Sequence, residues 1–258
     1  MKTILSVYIL LLSALMPPAN LPSGVFHWAS AKATATPTGE SRQMVNGSTT
    51  DLAAFTVHTS TLAPGATNHP LRAHDDLEEL IVVKEGRLAL VVGNQTKSIG
   101  PGGLALIIAG DQQSFQNKSG APVTYYVLSY KSRKPVNLAR GQQGGGSLVK
   151  DWTEFPVKKT EKGESRQVFD QPSSMFGRFD VHATSLDPGF ASHDPHHHLA
   201  EEVILLLKGH VQMQIGQSFY DASGGDLVFL ASDDLHALKN TGREQCSYFA
   251  IQWHDTKD

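Results

Sequence analysis

Short segments in which apolar residues alternate with polar ones, or form brief apolar runs, make up most of the chain. Examples are FTVHTSTL at 55–62, LEELIVVKEGRLALVVG at 77–93, GLALIIAG at 103–110 and VTYYVLSYK at 123–131. Glycine, proline and asparagine separate these segments, and helical periodicity is almost absent. This pattern predicts an all-β fold, either a sandwich or a barrel.

The strand pattern occurs twice along the chain. Displacing the sequence by 124 residues aligns residues 25–74 with 149–198, with sixteen identities that include GESRQ at 39–43 and at 163–167. After one additional residue in the first copy the match resumes, with Glu79 on Glu202 and Asn117 on Asn240. The chain is therefore a tandem duplication.

The duplication sets the predicted domain limits. A signal peptide is expected at 1–19, a first barrel at 25–131, a linker at 132–148 and a second barrel at 149–258. The linker contains GQQGGGS, and its glycine-rich, polar composition predicts flexibility.

The first sixteen residues, MKTILSVYILLLSALM, begin with a positive charge at Lys2 and continue as an apolar run that Pro17 and Pro18 end. This arrangement predicts an export signal and a secreted or periplasmic protein, with cleavage near Ala19 because the repeat has already begun at Val25. The alternative is an uncleaved anchor helix.

Charge and cysteine content narrow the expected partners. The chain has 258 residues and a formal net charge of −3 with histidine neutral, and this provides no electrostatic footprint for nucleic acid. We expect a small-molecule substrate or ligand. Cys246 is the single cysteine, so an intramolecular disulfide is impossible, and its apolar neighbours predict a buried, inert thiol.

A cluster of histidines and glutamates lies in PGFASHDPHHHLAEEVILLLKG at 188–209. On an extended strand His196, His198 and Glu202 share one face, and His236 follows a later apolar run. Imidazole and carboxylate together suit a divalent transition metal such as Mn, Fe, Co, Ni, Cu or Zn. By the same parity His197 and Glu201 point away and are expected to be solvated; the alternative reading is a solvated histidine-rich loop without metal.

Two motifs carry a family resemblance. The spacing HxHx3Ex6G at 196–209 and a second pattern, Gx5AxDx2Hx3N at 225–240, resemble the two motifs of the cupin superfamily. Ala231 and Asp233 depart from the proline and glycine usual in the second motif, which affects turn geometry and leaves the ligand positions intact. The resemblance implies two jelly-roll barrels, hence a bicupin, with a metal held by His196, His198, Glu202 and His236 and with open coordination positions.

The first copy lacks this ligand set, because the equivalent residues are Arg72, His74, Glu79 and Gln113. A guanidinium cannot donate a lone pair, so we expect Arg72 to replace the cation and pair with Glu79. Such a barrel would stabilise the fold or bind a small anion. The rival interpretation is an unusual metal site built from His69, His74, Gln113 and either Glu78 or Glu79.

Other polar residues recur in both copies. His193 recurs as His69, and is either a pocket residue or inherited structure. Arg166 either steers an anionic substrate or ties the leading strand to its barrel. His58 and His182 lie among strand residues and are expected to be structural.

Taken together, the sequence predicts an exported bicupin metalloprotein, monomeric or homodimeric, that acts as a metal-dependent enzyme on a small polar organic compound. The layout resembles dioxygenases of the quercetinase type and the bicupin ureidoglycine aminohydrolases, so oxidoreductase, hydrolase and isomerase chemistry all stay open. The alternatives are a non-catalytic protein that uses the metal to bind a sugar or carboxylate, and a structural or storage role.

Overall fold

The computed structural model describes residues 20–254. Two antiparallel β-barrels form the molecule, and helix is confined to one short α-helix, α1, and two single 3₁₀ turns at Trp28–Ser30 and Trp152–Glu154. Up to the linker the strands are β1 (Gly24–Phe26), β2 (Ala33–Thr36), β3 (Gly39–Gly47), β4 (Leu52–Leu62), β5 (Glu78–Glu85), β6 (Leu88–Val92), β7 (Gln95–Ile99), β8 (Leu104–Ile107), β9 (Gln113–Gln116) and β10 (Val123–Ser132). After α1 (Leu138–Gln143) follow β11 (Leu148–Lys150), β12 (Val157–Thr160), β13 (Gly163–Gln171), β14 (Arg178–Leu186), β15 (Glu201–Lys208), β16 (His210–Ile215), β17 (Ser218–Ser223), β18 (Leu227–Leu230), β19 (His236–Asn240) and β20 (Cys246–His254).

Each barrel combines a seven-stranded and a three-stranded sheet. The first has the order β11-β8-β5-β10-β4-β3-β2 with β7-β6-β9, and the second has β1-β18-β15-β20-β14-β13-β12 with β17-β16-β19. All pairs between these strands are antiparallel. The prediction of two tandem jelly-roll barrels is confirmed.

The leading strand of each copy pairs with the other barrel. β1 lies beside β18, with Val25 opposite Val228, and β11 lies beside β8, with Val149 opposite Ala105. The sequence analysis did not foresee this exchange. It joins the two barrels through backbone hydrogen bonds as well as side chains.

Three apolar clusters stabilise the molecule, one inside each barrel and a larger one between them. On β15, Ile204 and Leu206 face the interior of the second barrel, whereas Val203 and Leu205 face the first barrel. Because both faces of this strand are buried, its sequence is a continuous apolar run rather than an alternating one.

The segment predicted as a flexible linker is ordered around helix α1. Asn137 caps the helix by accepting a hydrogen bond from the Arg140 amide at 2.9 Å, and the Arg140 side chain donates to the carbonyls of Ser173 and Ser174. These bonds hold the segment against the second barrel. The composition of the segment does not show that Arg140 has acceptors there.

Within residues 20–254, no helix has the length and apolar character needed to span a bilayer. The predicted export signal lies outside the described residues.

Candidate metal centre

The candidate ligands come from a loop and two strands. His196 and His198 lie in the loop between β14 and β15, Glu202 lies on β15, and His236 begins β19. The prediction that both loop histidines lie on a regular strand was wrong, since only His196 is paired. It forms an isolated bridge with His236 through amide-to-carbonyl bonds of 3.1 and 2.8 Å.

The turn before β19 contains Asp233, the one residue other than glycine with a positive φ, 67°, in the described chain. Its amide donates to the His198 carbonyl at 2.8 Å. Aspartate tolerates the left-handed region better than most residues, so the departure from glycine predicted to affect this turn is accommodated.

The four side chains converge. One ring nitrogen from each of His196, His198 and His236 lies within 4.8 Å of the other two. Glu202 Oε2 lies 3.3 Å from His198 Nε2 and 3.5 Å from His236 Nε2. Glu202 and His236 are buried, and His196 and His198 are partly buried.

Backbone carbonyls orient two of the rings. His198 Nδ1 donates to Ala200 O at 2.9 Å, and His236 Nδ1 donates to Asp234 O at 2.7 Å. When Nδ1 carries the proton of a neutral imidazole, the lone pair is on Nε2, which in both rings faces Glu202. His236 Nε2 and His196 Nδ1 are buried without a hydrogen-bond partner among residues 20–254. Two unsatisfied buried nitrogens beside a carboxylate fit a cation well.

The electrostatics agree with a preformed anionic ligand. Burial opposes ionisation of Glu202, but the hydrogen bond from His198 and the positive charges of His236 and His198 in their protonated forms outweigh it and lower its pKa to about 2. The hydrogen bond to Glu202 raises the pKa of His198, whereas burial and the neighbouring histidines lower the pKa of His196. Glu202 is therefore a carboxylate throughout the physiological range.

The two residues excluded by parity have different surroundings. His197 is exposed and pairs with Asp233, as expected. The prediction that Glu201 is solvated was wrong: it is fully buried and accepts hydrogen bonds from Trp253 Nε1 at 3.0 Å and from Thr49 and Thr50 of the first barrel. Parity turned Glu201 away from the ligands, but the other barrel covers the face on which it lies.

His196, Glu202 and His236 line a cavity of about 390 Å³ inside the second barrel. Its lining combines polar or ionisable side chains with apolar ones. The lining residues are Thr160, Lys162, Glu164, Ser165, His182, Thr184, Leu186, Ser192, His193, His196, Glu202, Ile204, Met213, His236, Leu238, Tyr248, Ala250 and Gln252.

Of the accessory candidates, His193 lines the cavity and Arg166 does not. His193 lines the cavity with its ring centroid 3.9 Å from that of His196, and burial lowers its pKa. Arg166 does not line it: the guanidinium lies 4.6 Å from the Trp152 ring centroid and donates to Glu164 and to Phe155 O. These contacts fit the structural alternative for Arg166 rather than a contact with a substrate in the cavity. His182, expected to be structural, lines the cavity, because its strand forms the cavity wall.

The first barrel keeps the geometry without the ligands. Arg72 and Gln113 form the same isolated bridge as His196 and His236, with amide-to-carbonyl bonds of 3.1 and 2.7 Å. Glu79 is buried and accepts from Gln113 Nε2 at 2.6 Å and from Ser129 Oγ at 2.9 Å. His74 Nε2 is buried without a hydrogen-bond partner in the described part of the chain.

The expected ion pair between Arg72 and Glu79 was wrong, because no salt bridge joins them within residues 20–254. Hydrogen bonds from an amide and a hydroxyl satisfy the carboxylate, and Arg72 is exposed at a second cavity of about 380 Å³. His58, expected to be structural, also lines this cavity. Cys246 is buried as predicted, and burial raises the pKa of its thiol.

Comparison with known proteins agrees with this architecture. The family model described as "Cupin domain" matches residues 58–129 and 183–252, together more than half of the chain. Among the curated proteins no significant match exists.

Three solved structures illustrate the likeness in fold. The E. coli protein YlbA is 17% identical with a TM-score of 0.72, and the match covers 96% of this chain and 97% of that one. Lactobacillus farciminis oxalate decarboxylase, solved as a formate complex, is 13% identical with a TM-score of 0.68, covering 93% of this chain and 88% of that one. Bacillus subtilis oxalate decarboxylase, described with Mn(II) centres, is 13% identical with a TM-score of 0.68, covering 94% and 80%.

Proposed function

Because the chain belongs to the cupin family, we propose that its second barrel binds one divalent transition metal through His196, His198, Glu202 and His236 and uses it to convert a small organic anion. The observation that carries the proposal is the convergence of three imidazoles and a buried carboxylate on one point at the wall of a cavity. Three nitrogens and one oxygen leave coordination positions for a substrate.

The donor set restricts the metal. Three imidazoles and one carboxylate suit Mn, Fe, Co, Ni, Cu or Zn and disfavour calcium and magnesium, which take oxygen ligands. A bound metal of this kind polarises a carbonyl or carboxylate, acidifies a bound water or activates oxygen. The chain's own contribution is to orient the imidazoles through the carbonyls of Ala200 and Asp234 and to keep Glu202 ionised.

Comparison of the two cavities indicates the substrate's charge. Most lining positions are chemically similar in the two copies, such as Tyr248 and Tyr125 or Glu164 and Glu40. Apart from the ligand positions, the clearest change in charge is at Lys162, whose equivalent is Thr38. The Lys162 ammonium donates to the Ser192 carbonyl at 3.1 Å, and its charge contributes to the lowered pKa of His193.

The balance of charge in the second-barrel cavity also indicates an anionic substrate. A divalent cation and Lys162 bring three positive charges to the second cavity, and Glu202 supplies one negative charge. Glu164, the other carboxylate that lines the second cavity, is already paired with Lys159 and Arg166. An anionic substrate would balance the excess, and a carboxylate is the simplest group that can contact both a metal and an ammonium.

Two further points support the proposal. The solved structures with the same fold include oxalate decarboxylases, one of them with formate bound and one with Mn(II) centres. Export is part of the proposal and rests on the basic start and apolar run of residues 1 to 16.

The first test is metal content. Protein purified after reconstitution with Mn, Fe, Co, Ni, Cu or Zn should hold about one metal per chain by elemental analysis. His236→Ala should lose it, whereas the matched first-barrel variant His74→Ala should retain it. Wild-type protein that binds no transition metal would refute the proposal.

The second test uses the loaded protein with small mono- and dicarboxylates and their amides, following product formation and oxygen consumption. Turnover of a carboxylate with a KM raised about tenfold or more in Lys162→Thr, and restored in Lys162→Arg, is the expected result. Saturable binding without turnover would assign the non-catalytic role instead. Turnover confined to neutral amides would contradict the assignment of an anion.

A further inference from the structure

A separate cavity of about 280 Å³ lies between the two barrels, outside the metal centre. The first barrel contributes Val83, Lys84, Pro101, Gly102 and Tyr126, and the remaining lining residues are Trp152, Glu164, Ser185, Leu206, Leu207, Lys208, Gln245 and Ser247. Its size is close to the lower end of the range of about 300–1,000 Å³ for small-molecule sites.

The cavity backs directly onto the metal-centre cavity. Ser185 lines the one and Thr184 the other, and on the neighbouring strand Ser247 and Tyr248 divide in the same way. Successive side chains on a strand point to opposite faces, so the two cavities lie on either side of one sheet. Glu164 lines both.

The duplication shows which side chains pack against the equivalent tryptophan of the first copy, Trp28. Around Trp28, the Lys84 ammonium lies 4.7 Å from the ring centroid and the Arg42 guanidinium lies 5.2 Å from it. Around the equivalent Trp152, Arg166 keeps its place, but the residue equivalent to Lys84 is Leu207. A leucine is shorter than a lysine and uncharged, so the cavity wall beside Trp152 is apolar where the equivalent position beside Trp28 carries an ammonium.

The walls define the ligand. Trp152, Tyr126 and Leu207 provide an apolar, partly aromatic slot. At its side Lys208 is exposed and has no ion-pair partner within residues 20–254, whereas Glu164 is already committed to Lys159 and Arg166.

A hydroxyl pair adds a hydrogen-bond donor. Ser185 and Ser247 are both more than nine-tenths buried, and their hydroxyl oxygens lie 2.7 Å apart. One hydroxyl donates to the other, so the second hydroxyl retains its own proton for a further acceptor. A buried donor beside a lysine favours an anionic oxygen.

We propose that this inter-barrel cavity is a second binding site, for a small aromatic carboxylate whose ring lies against Trp152 and whose carboxylate is held by Lys208 and the serine pair. The site is independent of the metal-dependent function. Its common wall with the metal-centre cavity places a bound ligand one sheet away from Glu202.

The test uses benzoate, with benzamide as its neutral counterpart, titrated by calorimetry into the metal-loaded full chain. Benzoate should bind, and benzamide should bind about tenfold more weakly. Leu207→Lys, which places in the cavity wall the residue found at the equivalent position of the first copy, should weaken benzoate binding at least about tenfold. The matched control is Leu199→Lys, the same change at a leucine that is 65% exposed, and it should bind as wild type does.

Two further variants separate the possible outcomes. His236→Ala should retain benzoate binding, and Lys208→Gln should weaken it even if Leu207→Lys fails to fold. The proposal is overturned if wild-type protein produces no binding heat, if Leu207→Lys and Lys208→Gln bind normally, or if only His236→Ala loses binding. The last result would assign benzoate to the metal-centre cavity.

Discussion

Glu201 should be among the most sensitive polar positions for stability, although it is not a metal ligand. It lies on β15 in the second barrel, and two of its donors, Thr49 and the Thr50 amide, belong to the first. Trp253 Nε1 donates to the same carboxylate at 3.0 Å. Glu201→Ala removes the acceptor that these groups share across the barrel–barrel boundary.

The magnitude follows from burial. Thr49 and Trp253 are 0% and 3% exposed, so water cannot replace the lost acceptor. Each buried donor left unpaired costs about 1–3 kcal/mol. With two such side-chain donors we expect a loss of about 2–6 kcal/mol, a large share of the roughly 5–15 kcal/mol typical of a folded protein.

Equilibrium unfolding in urea at pH 7, followed by tryptophan fluorescence and circular dichroism, measures this loss. The midpoint should fall by about 1–3 M for an m-value of about 2 kcal/mol/M. Glu161→Ala, at an exposed position, is the control and should change stability by less than about 0.5 kcal/mol. A loss below about 1 kcal/mol in Glu201→Ala would show that the hydrogen bonds to this carboxylate are not coupled to folding.

Three other outcomes are expected. Burial raises the pKa of Glu78, so its contribution to the free energy of unfolding is fully present below the ordinary glutamate pKa and is lost as pH rises through the raised folded value. Glu78→Gln should therefore gain stability relative to wild type between pH 4 and pH 8 in urea titrations. Parallel plots of unfolding free energy against pH for the two proteins would contradict this. Arg72→His with Gln113→His should add a second equivalent of metal by elemental analysis, because the backbone bridge between these positions already matches that of the second barrel; an unchanged content would mean that the cavity differs in more than its ligands. Gly209→Ala should lose about 2–4 kcal/mol in urea unfolding, since φ is +90° and the new Cβ would lie 2.6 Å from Cys246 Cβ, and a loss below about 1 kcal/mol would show that the turn relaxes.

The convergence of the candidate ligands could be predicted because the information for it is local in the sequence. Two motifs contain all four ligands, and the one long-range step, the pairing of His196 with His236, follows once both motifs lie in one barrel. The duplication also identified the first copy as the one without the ligand set. Parity correctly separated His197 from the ligands even though the loop is not a regular strand.

Features at the barrel–barrel boundary could not be predicted in this way. Glu201 resembles a surface residue, because nothing in the sequence states that a second barrel covers its face. Inside the second barrel, the cavity-lining position of His182 was also missed, because periodicity does not show which side of a strand faces a cavity. Glu78 and Glu201 occupy equivalent positions in the two copies. This recurrence was the available signal, because a solvent-exposed glutamate has no physical reason to appear at the same position of both copies.

The exchanged strands β1 and β11 imply how the molecule arose. A single-barrel ancestor with the same arrangement would have been a two-fold dimer in which each chain lent its leading strand to its partner. Fusion made that association intramolecular and independent of protein concentration. It also removed the requirement that both barrels be identical, so that the two barrels can differ at these positions, with His196 and His236 in one and Arg72 and Gln113 in the other.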